Sequence, residues 1–215
     1  GGKEENLPTI FANDPAYSII YNDMLAEKNL KQLGWAHIGA YGFGATTMIT
    51  SVENIAGKKI RTAENAMVVD LFNTLGVKPV VINIGEVFTS VQQGICDGIY
   101  STLTMQYMYK TYEIADQLSQ FDNAWCYCWL VMNLEKWNSL DAEFQGWLTE
   151  AGATYTEATL AQEKLDRQTV IDAVEAAGGT YYLLSDEEKA AFSAKCEGVR
   201  TKWRDIVGAD LYDQS

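Results

Sequence analysis

One histidine and four cysteines in 215 residues are scarcities, and each removes a class of function. The lone histidine, His37, lies in "WAHIGAY", where it reads as a packed strand residue rather than a general base. Cys126-x-Cys128 lacks the spacing of zinc and redox motifs, and no histidine or second cysteine pair stands near it to complete four ligands. The chain has no GxSxG, no Walker loop and no HExxH, and Glu86, at a helix start, is explained by the helix dipole alone. The expectation is therefore a protein with no catalytic residue, no metal and no cofactor. Basic residues are also few, 16 against 29 acidic for a formal charge of -13, and no Lys/Arg cluster occurs, which excludes a nucleic-acid partner. No apolar run approaches the roughly 18 residues of a membrane helix, so no direct membrane insertion is expected.

What is present is the composition of a folded domain: 47% hydrophobic and 12% aromatic against 21% charged residues. The acidic excess serves solubility. Gly1 begins the chain without an initiator Met or a charged-then-apolar leader, which fits either a removed leader or an excised piece. If "WCYCWLV" is a strand, Cys126 and Cys128 point to one face and behave as small buried hydrophobes; a disulfide or metal role is the alternative.

Periodicity divides the chain into alternating elements. Asp14-Pro15 starts a helix whose face is Ile19, Ile20, Met24 and Leu25 and which closes at Leu33-Gly34; "WAHIGAY" (35–41) follows as a strand. Thr50 or Ser51 starts a short helix, and a small strand ends near Arg61. Met67, Val68, Leu71, Phe72 and Leu75 then recur at helical spacing before Gly76, and "VKPVVIN" (77–83) is a strand. The segment "IGEVFTSVQQGICDGIYS" (84–101) carries a helix from Glu86 to Gln93 and returns through Asp97-Gly98 into extended "IYS". "TMQYMYKTYEIADQLSQ" reads as helix, "AWCYCWLVM" (124–132) as a central strand, and Asp141 to Ala177 as one long helix of roughly 50 Å. "TYYLLS" is a strand, Ser185 with Glu188 a capping box, and a closing helix follows. Strand-helix alternation means α/β architecture on a mainly parallel sheet.

"NIAGKKIRTAENAMVVDLFNTLGVKPVVINIGEVFTSVQQGICDGIYS", continued by "YEIADQLSQFDNAWCYCWLVMNLEKWNSLDAEFQ", resembles the solute-binding proteins of tripartite ATP-independent periplasmic (TRAP) transporters, the DctP-type family. The likeness implies a periplasmic-binding-protein-like (type II) fold of two lobes with a long lobe-spanning helix. Lobe I is expected over 1–42 plus 126–166, incomplete because the family's opening strands precede this match. Lobe II is expected over 43–125 plus 167–215. It further implies a periplasmic or extracytoplasmic protein, its leader not part of this chain, that holds a small carboxylate for the membrane subunits of a transporter. A ligand-sensing module of the same fold and a truncated non-binding fragment are the alternatives.

On this resemblance Arg61 matches the arginine that pairs with the ligand carboxylate. Chemistry supports it independently, since a planar, permanently charged fork makes two parallel bonds to a carboxylate and Lys does not; a surface salt bridge is the plainer reading. Around it the candidate contacts are Glu64, Asn65, Tyr100, Ser101, Asn123 and Trp125, with Ile84, Tyr41 and Phe43. Three departures stand out. Ile99-Tyr100-Ser101 replaces the family's Gln-Glu-Asn, Ile84 replaces a phenylalanine, and "YGFGATT" lacks the second arginine of sialic-acid binders. These swaps imply a smaller or more apolar carboxylate than a sugar acid. Trp35, Trp125 and Tyr127 offer either stacking surface for the ligand or core packing.

Overall fold

The structure is a computed structural model that describes residues 23–208, the side chains of Asn123 and Val207 excepted. The proposed helix start at Asp14-Pro15 and its residues Ile19 and Ile20 lie outside the described residues. In chain order the elements are α1 (Leu25–Glu27), β1 (Leu30–Ala45), α2 (Val52–Ile55), β2 (Lys59–Thr62), α3 (Ala66–Thr74), β3 (Lys78–Val81), α4 (Val87–Gln92), β4 (Gly98–Thr102), α5 (Leu103–Met108), β5 (Gln117–Asn133), α6 (Leu134–Asn138), α7 (Ala142–Ala176), β6 (Thr180–Leu183), α8 (Asp186–Lys195) and α9 (Glu197–Val207).

Of the described residues, 23–38, 127–164 and 204–208 form one compact unit, and Gly39–Cys126 with Leu165–Trp203 form the other. β1, β5 and the 35-residue α7 contribute to both.

In the second unit the strands run in the order β3-β2-β4-β1-β5-β6. β2 pairs in parallel with β3 and β4, and β5 with β6, while β1 and β4 are antiparallel. Strand alternation gives the sheet two apolar faces. One face carries Phe43, Ile60, Phe72, Phe121 and Phe192, with Phe121 and Phe192 edge to face at 4.8 Å. The other carries Ile99 and Ala115 beneath Val87 and Val91 of α4. Leu103, Leu118, Val170 and Val174 form a third cluster.

Local chemistry explains most boundaries. Ser51 accepts the Asn54 N–H and the Asn54 side chain answers, a reciprocal cap on α2. Ser185 and Glu188 do the same for α8, as the sequence implies. The helical reading past Met108 fails because Lys110 turns left-handed (φ 53), and the chain enters β5 at Gln117. Likewise the first helix stops at Glu27 rather than Leu33, and β1 begins at Leu30. Gly34 is there for contact, not helix termination: a Cβ on it would overlap the Gly152 carbonyl of α7, and one on Gly152 would overlap Leu33. The closing helix is two helices, broken at Cys196.

Burial of Cys126 and Cys128 is also corrected. Cys126 is half-buried, Cys128 is exposed, and the neighbouring Trp129, Leu130 and Val131 are exposed too, so this part of β5 is not covered on both faces. No disulfide joins Cys96, Cys126, Cys128 or Cys196. Met67, counted on the inward face of α3, is 47% exposed, because the buried stripe runs through Phe72 and Leu75.

In the first unit, Thr156 of α7 accepts the Trp35 N–H at 3.0 Å, and Tyr127 stacks on His37 at 5.2 Å and meets Trp35 edge-on at 5.5 Å. His37, 5% exposed, is thus a packed strand residue. Gly146, by contrast, faces open space on α7. Gly146→Ala should therefore raise stability by about 0.5–1 kcal/mol in chemical denaturation, since Gly costs that much in a helix interior.

Candidate functional site

Arg61 is the penultimate residue of β2, a strand flanked on both sides, with Val80 and Ile99 as its ladder neighbours. The residue is 6% exposed. Its Nε donates to the Ile82 carbonyl at 2.9 Å. Among the described residues no carboxylate stands within ion-pair distance of the guanidinium, and its two terminal nitrogens donate to no protein acceptor. Desolvation lowers its pKa, opposed by the nearby Tyr41 and Cys96, but a guanidinium keeps its charge at neutral pH. A buried cation without a partner is expensive, by several kcal/mol per ion. The arrangement can offset that cost by taking an anion.

The strand next to it supplies one more polar group. Ile99 faces Arg61 across the ladder, and alternation puts Ser101 on the same side. Ser101 is 6% exposed, and its hydroxyl makes no hydrogen bond among the described residues. Ile84, half-buried in the turn after β3, packs against the cluster that contains Ile99.

The remaining candidates separate from this pair. Tyr100 projects to the opposite face, its ring 5.0 Å from Phe43, 5.0 Å from Tyr41 and 5.6 Å from Phe72, and burial pushes its phenol pKa up. Phe43 is part of that aromatic core at 3% exposure. Tyr41 is half-buried at its edge and near enough to act on the Arg61 charge. Asn65 caps α3, accepting the N–H groups of Met67 and Val68 at 3.0 and 3.2 Å. Asn65→Ala should therefore cost about 1 kcal/mol in a denaturant melt, the usual worth of an N-cap. Glu64 is exposed; Trp125 is half-buried, with its Nε1 out of contact with water and donating to no acceptor among the described residues. Of Asn123 only the backbone, in β5, is described.

Three groups escaped the sequence reading. The Ile82 carbonyl that aims Arg61 is backbone, which residue types do not reveal. Gln106 and Gln120 are fully buried, and their Oε1 atoms occupy the space where side chains would stand on Gly44 and Gly42. "YGFG" is therefore two-sided, aromatic toward one core and bare toward two amides. The Asp97-Gly98 pair was legible as a turn, but its work is fastening. Asp97 Oδ2 accepts the Lys59 N–H at 2.7 Å, its own N–H donates to the Lys59 carbonyl at 2.7 Å, and its carbonyl accepts the Thr46 N–H at 3.0 Å.

Comparison with known proteins agrees with this frame. Residues 4–205 match the family described as bacterial extracellular solute-binding protein, family 7 (DctP). The chain is 28% identical over 215 residues to the C4-dicarboxylate-binding periplasmic protein DctP of Shewanella loihica, covering 98% of this chain and 63% of that protein. It is 25% identical over 209 residues to the ectoine-binding periplasmic protein TeaA of Halomonas elongata, with 95% and 61% coverage. It thus spans about three-fifths of the length of these relatives. Among solved structures, the Halomonas elongata ectoine-binding protein superposes with a TM-score of 0.89 at 24% identity, covering 99% of this chain and 70% of that one. A TRAP periplasmic solute-binding protein from Sulfurospirillum deleyianum with bound succinate gives 0.85 at 21% identity, with 99% and 70% coverage. These neighbours are binding proteins of two-lobed α/β fold. The chain belongs to the DctP family of bacterial extracellular solute-binding proteins.

Proposed function

We propose that the protein captures a small organic acid outside the cytoplasmic membrane and presents it to the membrane subunits of a TRAP-type transporter, with Arg61 as the anchor of the ligand carboxylate. The observation that carries this reading is the burial of Arg61 with one backbone acceptor and no acidic partner among the described residues. A carboxylate on the free edge of the guanidinium would satisfy both remaining nitrogens with two parallel charge-assisted bonds. Ser101, Ile84 and Trp125 line the ligand in this reading, while Tyr41, Phe43, Tyr100 and Asn65 support it from behind. Gly39–Cys126 with Leu165–Trp203 is the lobe that owns the anchor. The names of the relatives, which bind C4-dicarboxylate, ectoine and succinate, are consistent with an anionic ligand group. Nothing in the mechanism alters the ligand, so binding and release are the whole activity.

Native mass spectrometry of the purified protein before and after mild denaturation, beside a thermal-shift panel of mono- and dicarboxylates, tests the proposal. The expected result is a small acid lost on denaturation, or a rise in Tm with at least one acid. A protein with no bound acid and no shift with any carboxylate would remove the proposal.

A further inference from the structure

We infer that Asp122 governs how freely the two units turn against each other: its left-handed backbone, level with Gly39, is where the crossing strands bend, and its carboxylate ties both strands to α7 through Arg167. The segments that run between the units carry this inference. What Arg61 holds does not enter into it.

β1 enters the second unit at Gly39, β5 leaves it after Cys126, and α7 enters it at Leu165. Because the chain runs in opposite directions along β1 and β5, which are neighbours in the sheet, going back from Gly42 and forward from Gln120 leads to the same border. Gln120 lies over Gly42, its Oε1 in the space a Cβ would take. Gly39 and Asp122 therefore stand at about the same level, and both have positive φ, 109° and 49°. No other residue of β1 or β5 among the described residues does. Extended backbone has negative φ, so both strands change direction here.

Glycine adopts such a conformation freely, whereas aspartate does so only at a cost. What Asp122 adds in return is a carboxylate. Its Oδ1 accepts the Gln120 Nε2 at 3.1 Å, and Arg167 Nη1 donates to Oδ1 at 3.3 Å and to Oδ2 at 3.2 Å. The same Gln120 amide donates to the Tyr41 carbonyl at 3.0 Å. One amide and one carboxylate thus join β1, β5 and α7, with Tyr41 two residues past Gly39 and Arg167 two past Leu165. The paired side chains of Arg167 and Asp122 are only 22% and 24% exposed, so solvent screens them less than a surface pair. The remaining crossing, α9 after Trp203, is fastened separately, by Lys202 and Trp203 donating to Asp70 at 2.6 and 2.9 Å. Bending at Gly39 and Asp122 has to work against the Tyr41–Gln120–Asp122–Arg167 chain. That chain sets the population of bent forms, and a ligand that needs one of them binds in proportion to its population.

The test is double electron–electron resonance on the full chain with no acid added. One spin label goes on Cys128, exposed in the first unit, and one on Asn73→Cys, at an exposed position of α3 in the second, in a Cys126→Ser background. Cys96 and Cys196 are buried and escape the labelling reagent. Asp122→Asn keeps a side chain that tolerates the left-handed turn and loses the charge, and Arg167→Gln breaks the same pair from the other side. Each variant, shown to be folded by its melt, should widen the distribution of label distances or add a second population. The double variant should match either single, because all three lose one shared interaction. Distributions unchanged from the parent in both singles, or changes that add in the double variant, would overturn the inference. Either result leaves the Arg61 anchor to its own test.

Discussion

Arg61→Ala is expected to abolish carboxylate binding while the protein stays folded. The two effects separate because Arg61 contributes little to the fold: one hydrogen bond to the Ile82 carbonyl, worth about 1 kcal/mol. Against that bond stands the desolvation of an unpaired charge, which disfavours the ligand-free state by several kcal/mol. Removing the side chain gives up a modest bond and relieves a larger cost, so Tm should move by no more than a few degrees. Binding is another matter. Truncating one partner of a buried charge pair costs about 2–5 kcal/mol, on the order of 30-fold to several thousand-fold in Kd. Arg61→Lys should recover little of this, because an ammonium keeps the charge and loses the planar fork. Calorimetry against the acid that shifts the wild-type melt measures the loss, and the melt of each variant without ligand measures the fold. Wild-type affinity in Arg61→Ala would take the residue out of the site.

The second large effect belongs to stability. Gly98→Ala should lower it by about 3 kcal/mol, the upper range for forcing volume into a packed position. A Cβ at Gly98 would overlap the Gly44 carbonyl oxygen and stand 2.8 Å from the Ala45 Cβ and 2.9 Å from its Cα. Two of these are backbone atoms of β1, the antiparallel neighbour of β4 in the ladder, where Gly98 pairs with Ala45. No rotamer change relieves that contact; the strands must separate, and with them the Asp97 bonds to Lys59 and Thr46. For a chain of this size the expected fall in Tm is about 6–12 °C. Gly146→Ala is the matched control, a glycine with open space around it, and should move the other way. A Gly98→Ala protein that melts with the wild type would mean that β1 and β4 tolerate a wider spacing than their register implies.

Some of this was legible before any coordinates, and the reason differs from residue to residue. Caps announce themselves because they are local: Ser51 and Ser185 act on N–H groups three residues away, whereas Asn65, read as a ligand contact, proved to be a cap as well. The strand-helix alternation of 59–102 was readable for the same reason, since each element fits within one run of apolar period. The long helix was readable because 35 residues repeat one pattern. Lys110 marks where such reasoning stops. Its left-handed turn ends a helix that the aromatic spacing of "TMQYMYKTYEI" continues on paper.

The sequence by itself determined that this is an α/β protein with no nucleic-acid footprint, and that Arg61 stands at the end of a short strand followed by a helix. Composition, period and a permanently charged side chain are enough for that. Only the tertiary structure decided that Arg61 is buried without an acidic partner among the described residues, that Ser101 shares its face while Tyr100 does not, and that "YGFG" serves an aromatic core on one side and two glutamine amides on the other. Those facts depend on which strands lie side by side and in what register. Pairing between residues 60 and 98, or 44 and 99, is fixed by the packing of the whole sheet, not by any property that neighbours in sequence share.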